Sequence, residues 1–94
     1  METQEKILKA YVDYCERELK ELKWCEDRKN FWCETKVDVN IYVNATLQRM
    51  IGVSDFIQIV YDIPFTKIDY IYSAIFKPRV EEIRKRLLDS FENL

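Results

Sequence analysis

VDVNIYVNATLQRMIGVSDFIQIVY, residues 37–61, decides the fold, because it opens with the pattern of a strand and continues with that of a helix. Val37, Val39, Ile41 and Val43 alternate, the period of a half-buried strand. A longer window overrules them. Val39, Tyr42, Val43, Thr46, Leu47, Met50, Val53, Ile57, Val60 and Tyr61 keep a helical period for about six turns, whereas a strand would end within about eight residues. The reading is a helix from Asp38, as its N-cap, to Tyr61. Gly52 inside it costs about 1 kcal/mol relative to alanine, so something other than helix propensity favours it there.

The flanking segments are also helical. Upstream, from Thr3 as N-cap to Arg28, Leu8, Tyr11, Val12, Cys15, Leu19 and Leu22 fall on one helix face. Glu5–Lys9 and Glu16–Lys20 are i, i+4 pairs with the acid first, the favourable order. Downstream, Asp62-Ile63-Pro64-Phe65 reads as a turn, and Thr66 to Asp69 resembles a capping box. Ile68, Ile71, Tyr72, Ile75 and Phe76 then form one face, and Val80, Ile83, Leu87 and Phe91 another. At 100° per residue the second is rotated from the first by roughly 90°, with Pro78 between them. Glu81–Lys85 and Glu82–Arg86 support the last part. The predicted fold is all-α: one domain over residues 1–94, an antiparallel three-helix bundle whose third helix is kinked or split at Pro78.

The middle helix carries a second apolar seam. Ile41, Ala45, Gly52, Phe56, Ile59 and Ile63 fall within roughly 60° of one another, nearly opposite the first seam, and Gln48 fills the gap to give the alternating 3 and 4 spacing of helix-on-helix packing. Ala45 and Gly52 are small enough for another backbone to approach. Two arrangements would use such a helix: its two companions wrap both seams, or the second seam meets another protein or a second copy of the chain. Trp24 points away from the first helix's apolar stripe, and Phe31 and Trp32 follow in the connecting turn. These aromatics either plug the end of the core or serve as interface anchors.

Composition excludes several chemistries. The chain of 94 residues has no histidine, which removes a Ser-His-Asp triad, a Cys-His pair and any His-ligated metal. One glycine and two prolines leave no Gly-rich phosphate loop. Fifteen basic and 17 acidic side chains give a net charge of −2, which argues against a general nucleic-acid coat or a polybasic membrane binder. There is no signal-peptide pattern and no apolar run of membrane-spanning length. Cys15, Cys25 and Cys33 lack a C-x-x-C pair; Cys25 and Cys33 could meet across a turn, and the plain reading is reduced thiols in a cytoplasm. Cys33 beside Trp32 is the best-placed nucleophile, with no histidine to activate it and only Lys29 and Lys36 close in sequence as positive groups. Asp55, Asp62 and Asp69 recur at seven-residue steps and suggest a carboxylate cluster, but two of them sit beside helix ends, where aspartate is common for capping. Cys25, Glu26, Asp27, Cys33 and Glu34 fall short of a structural zinc set.

The expectation is therefore a non-enzymatic protein-interaction module with no cofactor, no metal and no small-molecule substrate. It would be an inhibitor or adaptor that occludes a larger protein, as phage-encoded anti-defence proteins do by analogy. Its contacts would be Ile41, Ala45, Gly52, Phe56, Ile59, Ile63, Trp24, Phe31 and Trp32. An acidic balance suits a partner with a basic, nucleic-acid-binding surface. The alternative is a nucleic-acid-contacting regulator that uses Lys77, Arg79, Arg84, Lys85 and Arg86, five cations in ten residues.

Overall fold

The computed structural model describes residues 2–27 and 35–92. They form an all-α antiparallel bundle of three helices: α1 (Glu2–Asp27), α2 (Lys36–Tyr61), and a third helix built from α3 (Phe65–Asp69), a π-helical segment (Tyr70–Phe76) and α4 (Lys77–Glu92). The bundle is a rod of 51 × 20 × 19 Å. Tyr11, Cys15, Leu19 and Leu22 of α1 meet Val39, Val43, Leu47, Met50 and Ile57 of α2, and Ile68, Phe76, Val80, Ile83 and Leu87 of the third helix complete the core. Val12, assigned to the α1 stripe, is instead exposed at its margin.

The helix ends differ from the sequence reading in detail. α2 starts at Lys36, capped by Thr35, with Asp38 at the third helical position rather than at the cap. The Asp38 amide donates to Thr35 Oγ1 (3.2 Å) and the Thr35 amide to Asp38 Oδ2 (3.1 Å), a reciprocal box of the kind that contributes about 1 kcal/mol. Thr3 lies inside α1 rather than capping it. Thr66 does not cap either, because α3 begins at Phe65 behind Pro64, with no side-chain cap. α2 ends on Asp62 in the left-handed conformation (φ 52°, ψ 43°), which short polar residues tolerate better than most. That residue reverses the chain and turns Ile63 inward.

The third helix solves its own register problem. A straight α-helix would hold its two apolar faces roughly 90° apart, so only one could reach the core. The π-helical segment closes i→i+5 bonds; the Lys77 amide donates to the Tyr72 carbonyl, five residues back. Such a turn absorbs one residue more than an α-turn and rotates everything after it back by about 100°. The two faces then coincide. Ile68, Phe76, Val80, Ile83 and Leu87 are all buried, while Ile71, Tyr72, Leu88 and Phe91 pack beside them. Ile75, assigned to the inner face, is turned out to 42% exposure. The irregularity thus lies upstream of Pro78 and is spread over seven residues, and Pro78 follows in the first turn of α4.

If the extra residue sets the register, removing it should be tolerated. Deletion of the exposed Ala74 combined with Pro78→Ala should give a continuous α-helix with the same buried face and a melting temperature near that of the parent. Deletion of the exposed Lys85 should rotate Leu87 and Phe91 out of the core and unfold the last turns, measured by circular dichroism.

Candidate functional site: the outer face of the middle helix

α2 is held to the bundle by one side. Val39, Val43, Thr46, Leu47, Met50 and Ile57 are buried there. The one polar member, Thr46, donates to the Tyr42 carbonyl (3.3 Å) and accepts from Arg49 (3.2 Å). Arg49 reaches across to Glu18 of α1 (3.0 Å). On the other flank Arg84 of α4 donates to Asn40 Oδ1 (2.9 Å) and Asn44 Oδ1 (2.7 Å). Its Nε lies 3.0 Å from Glu81 Oε2 without hydrogen-bond alignment. These bridges fix the rotation of α2 about its own axis, and that rotation points the second seam at solvent.

Five of the six seam residues are exposed. Ile41 is 62% exposed, Phe56 58% and Ile59 79%, and Ala45 and Gly52 lie open between them. A Cβ built on Gly52 would meet nothing within 4 Å, so the fold itself gives no reason for a glycine there. Ile63 is the correction. It is 2% exposed, because the left-handed Asp62 takes it off the helical wheel and folds it into the core. The seam gains a residue at its other end: Val37, 65% exposed, stands one turn before Ile41. Sequence reasoning missed it by starting the helix at Asp38; Thr35, three residues before an aspartate, was the available signal. From Val37 to Ile59 the seam runs for ~33 Å.

Grooves border this ridge. Ile7, Ala10 and Tyr14 of α1 face Val53, Phe56 and Tyr61 of α2 across a shallow apolar groove of about 300 Å³. On the opposite flank, Ile51 and Gln58 face Phe65, Asp69 and Tyr72 across a smaller one of about 190 Å³.

Trp24 is not joined to this face. Trp24, 47% exposed, shares a depression on α1 with Arg17, Lys20 and Glu21. Phe31, Trp32 and Cys33 lie outside the described residues. The basic segment is largely engaged within the bundle. Arg79 pairs with Glu16 of α1 (2.7 Å), Arg86 with Glu26 of α1 (2.7 Å) and Arg84 with Glu81. The expected Glu16–Lys20 and Glu82–Arg86 pairs within helices thus give way to Glu16–Arg79 and Glu26–Arg86 between helices. Lys77 and Lys85 remain exposed.

The buried thiols are held protonated. Burial pushes Cys15 up to about 12, with the neighbouring Tyr11 hydroxyl acting the other way. Burial likewise raises Cys25, whose thiol donates to the Tyr42 hydroxyl (3.5 Å). Tyr11 is also raised to about 12, chiefly by burial; its hydroxyl donates to Ser54, which in turn donates to the Met50 carbonyl (2.8 Å). Such groups are poor nucleophiles. Among the described residues no group of three Asp, Glu or Cys side chains is placed to hold a metal ion, and no helix is long and apolar enough to cross a membrane. Comparison with known protein-family models, with curated proteins and with solved structures returned no match.

Two outcomes follow. Gly52→Ala should raise the stability of the isolated chain by about 1 kcal/mol in urea unfolding, since it gains helix propensity and meets no neighbour. Alkali should destabilise the fold. Cys15 and Tyr11 ionise in the unfolded chain at their ordinary values of 9.0 and 10.0 but stay protonated in the native state to about 12. The unfolded state therefore binds fewer protons in that interval, and stability falls as pH rises from about 9 towards 12. Cys15→Ala should flatten the first part of that decline, read from urea midpoints at neutral and alkaline pH.

Proposed function

We propose that this chain is a non-enzymatic protein-interaction module that docks through the outer face of α2. One observation carries the reading: in a bundle whose core is already complete, an apolar ridge of Val37, Ile41, Phe56 and Ile59 stands open, with Ala45 and Gly52 leaving room for an approaching backbone. Scattered exposed apolar residues are ordinary, but four large ones aligned along one helix face, two towards each end with Ala45 and Gly52 between them, support an interaction surface. The mode of action is occlusion: a rigid rod covers a surface of its partner, as a stoichiometric inhibitor or adaptor does. The intramolecular pairing of Arg79, Arg84 and Arg86 favours this reading over nucleic-acid contact, because cations held by carboxylates release few counterions on meeting phosphate.

A photo-cross-linking amino acid at Ile59, expressed in cells of the organism that encodes the chain, tests the proposal. Adducts should form from position 59 and not from position Lys85 on α4. Equal labelling from both positions, or none from either, would overturn it.

A further inference from the structure

We infer that the occupant of this face is a second copy of the chain, packed antiparallel across a twofold axis that passes near the level of Met50. The inference rests on the docking reading above and names its partner.

Area is the first argument. At the exposures observed for Val37, Ile41, Phe56 and Ile59, the face offers roughly 450 Å² of surface, so two copies bury at most about 900 Å² through it, the size of a weak, reversible contact.

Charge is the second. From Val37 to Tyr61 the side of α2 turned away from the core carries one exposed carboxylate, Asp55. Arg49 on the flank is tied to Glu18. A face this poor in charge offers little to steer an oppositely charged partner, and it meets its own copy with little repulsion. The direction of pairing follows. A parallel, in-register pair sets Asp55 against Asp55 of the other copy and aligns the two helix dipoles. An antiparallel pair centred at residue 50 separates the two Asp55 side chains by ~15 Å along the axis, beyond the screening length in physiological salt, and opposes the dipoles.

Shape is the third. The part of the seam from Ile41 to Ile59, leaving Val37 one turn beyond it, has its midpoint at residue 50. Its large residues lie towards the ends, and Ala45, Gln48 and Gly52 lie between them. A twofold axis at the midpoint places Ile41 beside Ile59 of the other copy and Gln48 beside Gly52 of the other copy. Gln48 then packs over the bare backbone of Gly52 of the other copy, at a position where the isolated chain has no use for a glycine. The 3 and 4 spacing suits the shallow crossing of two helices packed in this way, and the contact is isologous, so it closes without leaving a second sticky surface.

Sedimentation equilibrium and cysteine pairing test the inference on the full chain. The wild type should show a reversible monomer–dimer equilibrium over a micromolar concentration series. Ile59→Lys and Gly52→Leu should each weaken it at least about tenfold. Both sites are exposed, so their circular dichroism and melting should stay near wild type. Under mild oxidation, a mixture of Ile41→Cys and Ile59→Cys proteins should form a mixed disulfide between positions 41 and 59, while neither links through its new cysteine to itself. A monomer at every concentration overturns the inference, as does self-linkage through Cys at position 41 alone, which requires a parallel pair. The two readings fail separately. If the chain is monomeric and the photo-probe at Ile59 joins a different protein, the second copy falls and docking through α2 stands. If it is monomeric and the probe joins nothing, both fall.

Discussion

Val39, Val43, Met50 and Ile57 attach α2 to the bundle by one side, and most of what distinguishes this protein follows from that attachment. A helix with two neighbours can bury only part of its circumference. The polar flanks prevent adjustment: Arg49 is tied to Glu18 of α1, and Arg84 of α4 grips Asn40 and Asn44. Turning α2 to hide Ile41 or Ile59 would expose Met50 or Val43 and break both bridges. The open ridge is thus a consequence of the completed core and not a defect in it.

The third helix obeys a related constraint by a different means. Its sequence offers two apolar faces out of phase, and the π-helical segment from Tyr70 to Phe76 brings them into phase. This lets one composite helix cover α1 and α2 along the rod. The basic residues that follow belong to the same construction. Arg79 and Arg86 bridge to Glu16 and Glu26, holding α4 against α1 through exposed pairs that individually contribute little. Their charge is directed inward along the bundle surface, and a count of lysines and arginines in sequence does not reveal that.

Much of this was legible in the residues. Helical periodicity over 37–61 outlasted the strand-like alternation at its start, and it also exposed the two-sided character of α2. The order and direction of the three helices follow from that periodicity together with the turn at Asp62–Pro64. What escaped sequence reasoning depended on backbone geometry or on partners distant in the chain. Ile63 appears on the seam only if the helix continues past Tyr61; the left-handed Asp62 stops it. The third helix is split beside Pro78, as its sequence suggests, but the π-helical form of the seven residues before it was not legible. Trp24 borders a depression on α1 with Arg17, Lys20 and Glu21, away from the seam, while Phe31 and Trp32, its companions in the sequence reading, lie outside the described residues. Glu16 and Arg79 are far apart in sequence, so the i, i+4 rule assigned the acid to the wrong cation.

The central physical claim is that the outer side of α2 is uncovered in the folded monomer. Its most direct test is solvent paramagnetic relaxation of isoleucine and methionine methyl groups, measured at a dilution where sedimentation shows a single copy. The expected result is strong broadening at Ile41 and Ile59 with Met50 and Ile68 protected. Equal protection of Ile41, Ile59 and Met50 in the monomer would mean that the chain covers its own seam, and it would contradict the claim.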